Sequence, residues 1–270
     1  MSDLTADATR RFRPPDACGR YHYSDEEHEV WAMLYNRQMA YLPGRVVDEF
    51  RTGLAALGIG PRAVPQVADI SARLGRLTGA GVEGVPAIIP PGRFFELLAA
   101  RRFPVATFLR RRDEIDYIEE PDLFHEVFGH CPLLTHPDYA DFIEGFGRQA
   151  LVLDRSCHWR LFRLFWFTIE FGMMRTPEGL RAFGAGIVSS PAEARHACEG
   201  GAEILPFDPL TILRTPYRID ILQPVLFEIE SFARLSAVLA ADLAGLIEKA
   251  RRLGDLPARF PAPREKAADG

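Results

Sequence analysis

The chain of 270 residues is 47% hydrophobic and 26% charged, and 32 basic against 37 acidic residues leave a net charge of −5. That balance fits a globular protein with a sizeable core, and with no basic block interleaved with aromatics it argues against nucleic acid as a partner. No apolar run reaches the roughly 18 residues of a membrane helix, the N-terminus has no apolar signal region, and Cys18, Cys131, Cys157 and Cys198 lack metal-type spacing, so the expectation is a cytoplasmic protein with reduced thiols and no membrane partner.

Residues 1–20 and 255–270 are rich in Pro, Ala and charge, which predicts flexible ends around one domain at 21–254. Ser24 followed by Asp25, Glu26 and Glu27 predicts a helix start, and GRVVDEFRTGLAALG and VADISARLGRLTG predict two further helices. The Gly- and Pro-broken stretch 81–94 interrupts the pattern, with Val85 to Ile89 as a candidate strand. FFELLAARR then predicts a helix and FPVATFLR a strand. Helical spacing returns in DLFHEVFG, HPDYADFIEGFGRQALVL, HWRLFRLFWFTIEFGMM and PAEARHACEG, and a last long helix is predicted over 220–253. The expected fold is mainly α, a single domain of packed helices with a few short strands around a central metal site. Nineteen Phe suggest aromatic walls in the core or a pocket.

The chemistry concentrates in 122-DLFHEVFGHCP-132. His125 and His130 are five apart, one more than the H-E-x-x-H of a zinc protease requires. Residues five apart on a straight α-helix point about 140° from each other. Gly129 and Pro132 offer a way round this: the helix can unwind there, so that His125 projects from its last turn and His130 returns from beyond it. The alternative is a pair of ordinary polar side chains at a helix end. Glu170 lies in 161-LFRLFWFTIEFGMM-174, apolar on nearly every face, and a buried carboxylate needs a partner. Either Arg163, seven residues earlier, or a metal ion shared with the two histidines would serve. Two imidazoles and a carboxylate are the ligand set of non-haem Fe(II) oxygenases. They could also hold a hydrolytic zinc with Glu126 as general base, while a binding protein with a Glu170–Arg163 pair would hold no metal. A 2-oxoglutarate oxygenase would instead place H-x-D before a distant His.

PDLFHEVFGHCP, followed forty residues later by FWFTIEFG and then by 184-GAGIVSS-190, resembles the pterin-dependent aromatic amino acid hydroxylases, and within them is similar to the short bacterial phenylalanine hydroxylases. The likeness runs from about Tyr23 to Phe232. It implies Fe(II) on His125, His130 and Glu170, tetrahydrobiopterin or a related reduced pterin as electron donor, and 4-hydroxylation of an aromatic ring with O₂. It further implies that Arg110 clamps the substrate carboxylate, that Trp166 walls the ring site, that Ser189 orients His125 and that Glu193 stands near the amino acid. For the pterin it implies stacking on Phe94, backbone pairing at Ile88 and Ile89, and Glu126 facing the ring through water.

Some positions depart from the family pattern. AIIPPGRF replaces a Gly-Leu-Leu-Ser type stretch, Phe165 stands where Tyr is common, and Pro104 where His can occur. These alter the pterin surroundings and leave the metal ligands untouched. Trp166, and an apolar Ile219 where tyrosine hydroxylases place an acid, favour phenylalanine over tryptophan or tyrosine as substrate. With only about twenty residues before the matching region and a short tail after it, the likeness implies an unregulated, monomeric catalytic core. His22, His28, His136, His158 and His196 lack ligand spacing and are read as local hydrogen-bonding groups, His136 at a turn and helix cap.

Overall fold

Ser24 opens the first helix, α1 (Asp25–Tyr41), with a reciprocal cap: its Oγ accepts from the Glu27 N–H at 3.3 Å, and the Glu27 carboxylate accepts from the Ser24 N–H at 2.7 Å. The computed structural model describes residues 12, 14–118 and 120–260. Val30, Trp31, Leu34 and Gln38, spaced at three and four, form the buried face of α1. Gln38 donates from Nε2 to the Val188 carbonyl at 2.5 Å, tying α1 to the short segment that carries Ser189.

Helices α2 (Asp48–Ala56) and α3 (Val67–Leu77) follow as the sequence predicts. Strand β1 is Gly81–Val85, so the predicted strand at Val85 to Ile89 is displaced toward the N-terminus. Pro86 and Pro90 have no N–H to give a ladder, so the chain leaves the sheet there. β1 pairs in parallel with β2 (Arg102–Ala106), and α4 (Pro91–Ala99) forms the crossover, with Pro at its first turn. Helix α5 (Pro137–Val152) packs against α4, and α6 (His158–Phe165) follows it.

Two helix predictions ran too far. The helix expected to reach Met174 gives way after Glu170 to strand β3 (Gly172–Thr176), since Phe171 (φ −131°) leaves the helical region. The helix expected over 220–253 is strand β6 (Val225–Ile229) followed by α10 (Ala233–Ala240) and α11 (Leu243–Leu253). An apolar run such as VLFEI has no period that separates a buried strand from a buried helix. Only pairing with distant segments decides it. With β4 (Gly179–Ala182) and β5 (Glu203–Pro206), these strands form a four-stranded sheet in the order β4-β3-β6-β5. β3 pairs antiparallel with β4 and parallel with β6, and β5 pairs parallel with β6. The remaining short helices are α7 (Ala185–Ser189), α8 (Pro191–Cys198) and α9 (Pro209–Arg214).

One large core joins these elements, and Phe rings fill its centre. Phe124 and Phe128 stack at 4.7 Å, with Trp31 edge-on to the first and Phe50 to the second. Residues 1–11 and 261–270, the outer parts of the two expected flexible ends, lie outside the described residues. Asp255, expected to begin a free tail, instead binds Arg163 at 2.7 Å and Arg160 at 3.1 Å. No helix among the described residues is long and apolar enough to cross a membrane.

Helix α2 sits directly on the turn that follows His130. A Cβ added at Gly53 would come within 2.1 Å of the Pro132 carbonyl oxygen. Gly53→Ala is therefore expected to destabilise the fold by about 1–3 kcal/mol through overpacking. Thermal unfolding against the wild type checks this, and an unchanged melting temperature would contradict the close approach.

Candidate metal centre and substrate pocket

His125–His130 is a single π-turn. The histidines therefore stand at its two ends, and the unwinding expected at Gly129 does not occur. Widening from i→i+4 to i→i+5 winding brings residues five apart over one another, which an α-helix cannot do. The Asp122 carboxylate starts the turn by accepting from the His125 N–H at 3.1 Å. Gly129 serves another purpose: a Cβ there would lie 3.0 Å from the Ala185 Cβ and 3.1 Å from its carbonyl oxygen, so its absence lets α7 close on the turn. Pro132 does not stop the chain either; it enters a 3₁₀ turn, Cys131–Thr135.

Glu170 comes from a second π-turn, Trp166–Glu170, closed by the Phe171 N–H donating to the Trp166 carbonyl at 2.9 Å, five residues back. The two turns face each other. His125 Nε2 and His130 Nε2 are 3.2 Å apart, Glu170 Oε1 is 3.2 Å from His130 Nε2, and Glu170 Oε2 is 3.5 Å from His125 Nε2. These three are the one group of potential metal ligands found among the described residues. Donor atoms at such separations can each reach one ion at roughly 2 Å. The Glu170–Arg163 pair does not form, because Arg163 is taken by Asp255.

The charge states suit a divalent cation. Burial pushes the His125 imidazole down to about 4, leaving it neutral. Burial pushes the Glu170 carboxyl up, but His130 and His125 outweigh that and hold it below its ordinary value. His125 Nδ1 lies 2.9 Å from Ser189 Oγ, while Nε2 faces His130 and Glu170. The His130 ring lies against Phe103 at 4.5 Å, and its buried Nδ1 has no protein partner. The donor set, two imidazoles and an ionised carboxylate, fits Fe(II).

A cavity of about 500 Å³ opens onto His125 and Glu170 and is lined also by Arg110, Trp166, Ser189 and Glu193. Arg110 is buried and binds Asp122 through Nε (2.8 Å) and Nη2 (2.9 Å). A guanidinium has five N–H donors, so three remain. Trp166 stacks on Tyr217 at 4.4 Å. Glu193, which an isolated reading would leave on an exposed helix, is 8% exposed, and burial raises its carboxyl to about 7 against the Gln223 N–H.

The expected pterin residues divide. Ile88 lines the cavity at its exposed rim, whereas Ile89, Phe94 and Glu126 do not line it. Phe94 meets Phe165 edge-on at 5.5 Å, and Phe165 in turn lies 6.5 Å from His130, which puts Phe94 one ring removed from the metal ligands. Glu126 Oε2 is 3.9 Å from His130 Nε2, and burial, with Glu170 and Asp122 adding to it, pushes its carboxyl well up. Of the other histidines, His28 meets the Val64 N–H, His158 the Ala150 carbonyl and His196 the Gln223 carbonyl. His136 stands at the α5 N-cap without a side-chain cap bond. Sequence reasoning missed Asp122, Tyr217 and Gln223. Only Asp122 carries a local signal, an acid three residues before the first histidine, where it caps the turn.

The sequence model of the biopterin-dependent aromatic amino acid hydroxylase family matches residues 2–249. The chain is 44% identical over 255 residues to the phenylalanine-4-hydroxylase of Pseudomonas aeruginosa, covering 94% of this chain and 97% of that protein. Its fold superposes on the phenylalanine hydroxylase of Legionella pneumophila with a TM-score of 0.89 at 45% identity, covering 92% of this chain and 98% of the other. It also superposes on the Chromobacterium violaceum phenylalanine hydroxylase with bound Fe(III), with a TM-score of 0.89 at 37% identity over 98% of each chain. The chain belongs to the biopterin-dependent aromatic amino acid hydroxylases.

Glu193 gives the pocket a pH signature. Its folded value, about 7, lies above the ordinary 4.5, so between these the native state holds more protons than the unfolded chain. Stability should therefore fall as pH rises from 4.5 to 7, by about 3 kcal/mol from this group alone. Denaturant unfolding of Glu193→Gln across that range is expected to lose this slope. An unchanged slope would mean that Glu193 titrates normally.

Proposed function

We propose that the chain is an Fe(II)-dependent, reduced-pterin-dependent monooxygenase that converts L-phenylalanine to L-tyrosine with O₂, and that His125, His130 and Glu170 hold the iron. The observation that carries this reading is the convergence of three donor atoms within 3.5 Å of one another from two facing π-turns. The likeness to phenylalanine hydroxylases over nearly the whole chain supports the substrate. Iron held by His125, His130 and Glu170, with reduced pterin beside it, would supply the O₂ activation, and the pterin would take the second oxygen atom.

The chain's own side chains bind, orient and exclude water. The three free donors of Arg110 offer a planar fork to the substrate carboxylate, and Asp122 keeps that fork fixed. Trp166, braced by Tyr217, presents its indole to the substrate ring, and the apolar Ile219 at the mouth suits a ring without a hydroxyl. Glu193 offers a carboxyl to the amino acid. Ser189 holds His125 in the tautomer that leaves Nε2 free. For the pterin, Phe94, one ring removed from His130, gives a stacking surface, and Ile88 and Ile89 give backbone to pair with its ring. Glu126, whose carboxyl burial pushes well up, faces the pterin as a polar group.

Fe(II)-loaded protein supplied with L-phenylalanine, reduced pterin and O₂ is expected to form close to one tyrosine per pterin oxidised. Glu170→Gln should lose both iron and turnover. Arg110→Lys keeps a cation beside Asp122 but removes the fork, so KM for phenylalanine should rise at least about tenfold with iron content unchanged. Hydrolytic activity with bound zinc, or tyrosine formation at wild-type rate by Glu170→Gln, would overturn the proposal.

A further inference from the structure

Behind the substrate pocket lies a buried amide, Gln223, 1% exposed, just before β6. Every hydrogen-bonding group it has is engaged. Oε1 accepts from the Trp166 indole N–H at 3.0 Å, and Nε2 donates to the carbonyls of Arg218 at 2.9 Å and Ile221 at 2.8 Å. Its backbone N–H donates to Glu193 Oε2 at 3.4 Å, and its carbonyl faces His196 Nε2 at 3.1 Å. A primary amide has two donors and a carbonyl acceptor. This environment supplies two carbonyls and one N–H, so the flipped amide would meet like with like at all three contacts.

The geometry also explains what the amide restrains. The carbonyls it holds belong to residues 217–222, the loop that carries Tyr217, and Tyr217 stacks on Trp166. Trp166 is thus held by its N–H from Gln223 and by its face from a loop that Gln223 also holds. Ile219 and Leu222, on that loop, line the cavity, and so does Glu193 on α8. Gln223 thus bonds to Trp166 and to this loop through its side chain, and to Glu193 through its backbone N–H.

We propose that Gln223 is the positioning residue of the substrate pocket: it fixes the Trp166 indole relative to the 217–222 loop and Glu193, and so sets affinity for the aromatic ring and the coupling of pterin oxidation to its hydroxylation. The inference rests on the reading that Trp166 and Glu193 face the substrate. A misplaced ring wall lets the substrate ring sit away from the reactive position, and small misplacements cost productive turnover steeply.

The test uses Fe(II)-loaded protein. Gln223→Met has nearly the same shape and lacks all three side-chain hydrogen bonds, whereas Gln223→Glu keeps an acceptor for the indole. The three tryptophans give separate indole N–H signals in ¹⁵N-labelled protein, and Trp166→Phe identifies the one that matters. With Gln223→Met, the Trp166 N–H signal should shift and exchange faster, while that of Trp31, bonded to the Gly60 carbonyl, stays in place. Iron content should be unchanged, KM for phenylalanine should rise about tenfold, kcat should change much less, and tyrosine formed per pterin oxidised should fall. Gln223→Glu should return the Trp166 signal and KM part of the way to wild type, and it carries the test should the Met variant not fold. Wild-type KM and coupling in Gln223→Met, despite a shifted Trp166 signal, would reduce Gln223 to core packing and overturn the proposal. An unmoved signal would overturn it as well. Unchanged KM in Trp166→Phe would instead show that the reading of Trp166 as a substrate wall had failed.

Discussion

Three donor atoms must meet at one point inside an apolar core, and two of them belong to residues five apart in the sequence. An α-helix cannot do this, since such residues diverge by about 140°. The chain widens its winding twice, at His125–His130 and at Trp166–Glu170, and sets the two π-turns face to face. Much of the surrounding structure follows from that pairing. Asp122 caps the first turn, Gly129 lets α7 approach with Ser189, and Gln38 on α1 holds α7 in place. The second turn puts Trp166 at one end and Glu170 at the other, so a single local distortion supplies both a cavity wall and a candidate metal ligand.

Burial would neutralise carboxyl groups unless each had a reason to stay charged, and Asp122, Glu170, Glu126 and Glu193 are resolved differently. Asp122 stays ionised because Arg110 binds it through two donors, and Glu170 because two imidazoles face it. Burial pushes the Glu126 carboxyl well up, and the neighbouring Glu170 and Asp122 carboxylates add to it. Glu193 meets only a backbone N–H and sits near neutrality at about 7. The same type of side chain therefore stands in four different electrostatic settings. Neighbouring charge and depth set them apart.

The convergence of His125, His130 and Glu170 was legible because their chemistry is visible without the fold: a histidine pair at an unusual spacing, and a carboxylate in a run too apolar to leave it unpaired. The first helix was legible too, since Ser24 and Glu27 write its cap into four residues. The π-turns were not, because widened winding depends on what packs against the turn; Gly129 suggested unwinding when its role is to admit α7. β3 and β6 were hidden in apolar runs whose state is decided by pairing with partners more than fifty residues away. Gln223 was silent for the same reason. Its meaning lies in Trp166, Arg218, Ile221 and Glu193 converging on one amide, and no spacing in the sequence announces that.

The central claim is that two opposed π-turns bind one Fe(II) through His125, His130 and Glu170. X-ray absorption at the iron edge, on anaerobic protein loaded with one equivalent of Fe(II), tests it most directly. The account predicts one iron per chain with a nearest shell of nitrogen and oxygen only, including outer-shell scattering from two imidazoles, and loss of one imidazole contribution in His130→Ala. A sulfur neighbour from Cys131, a single imidazole in the wild type, or an unchanged spectrum in His130→Ala would contradict it.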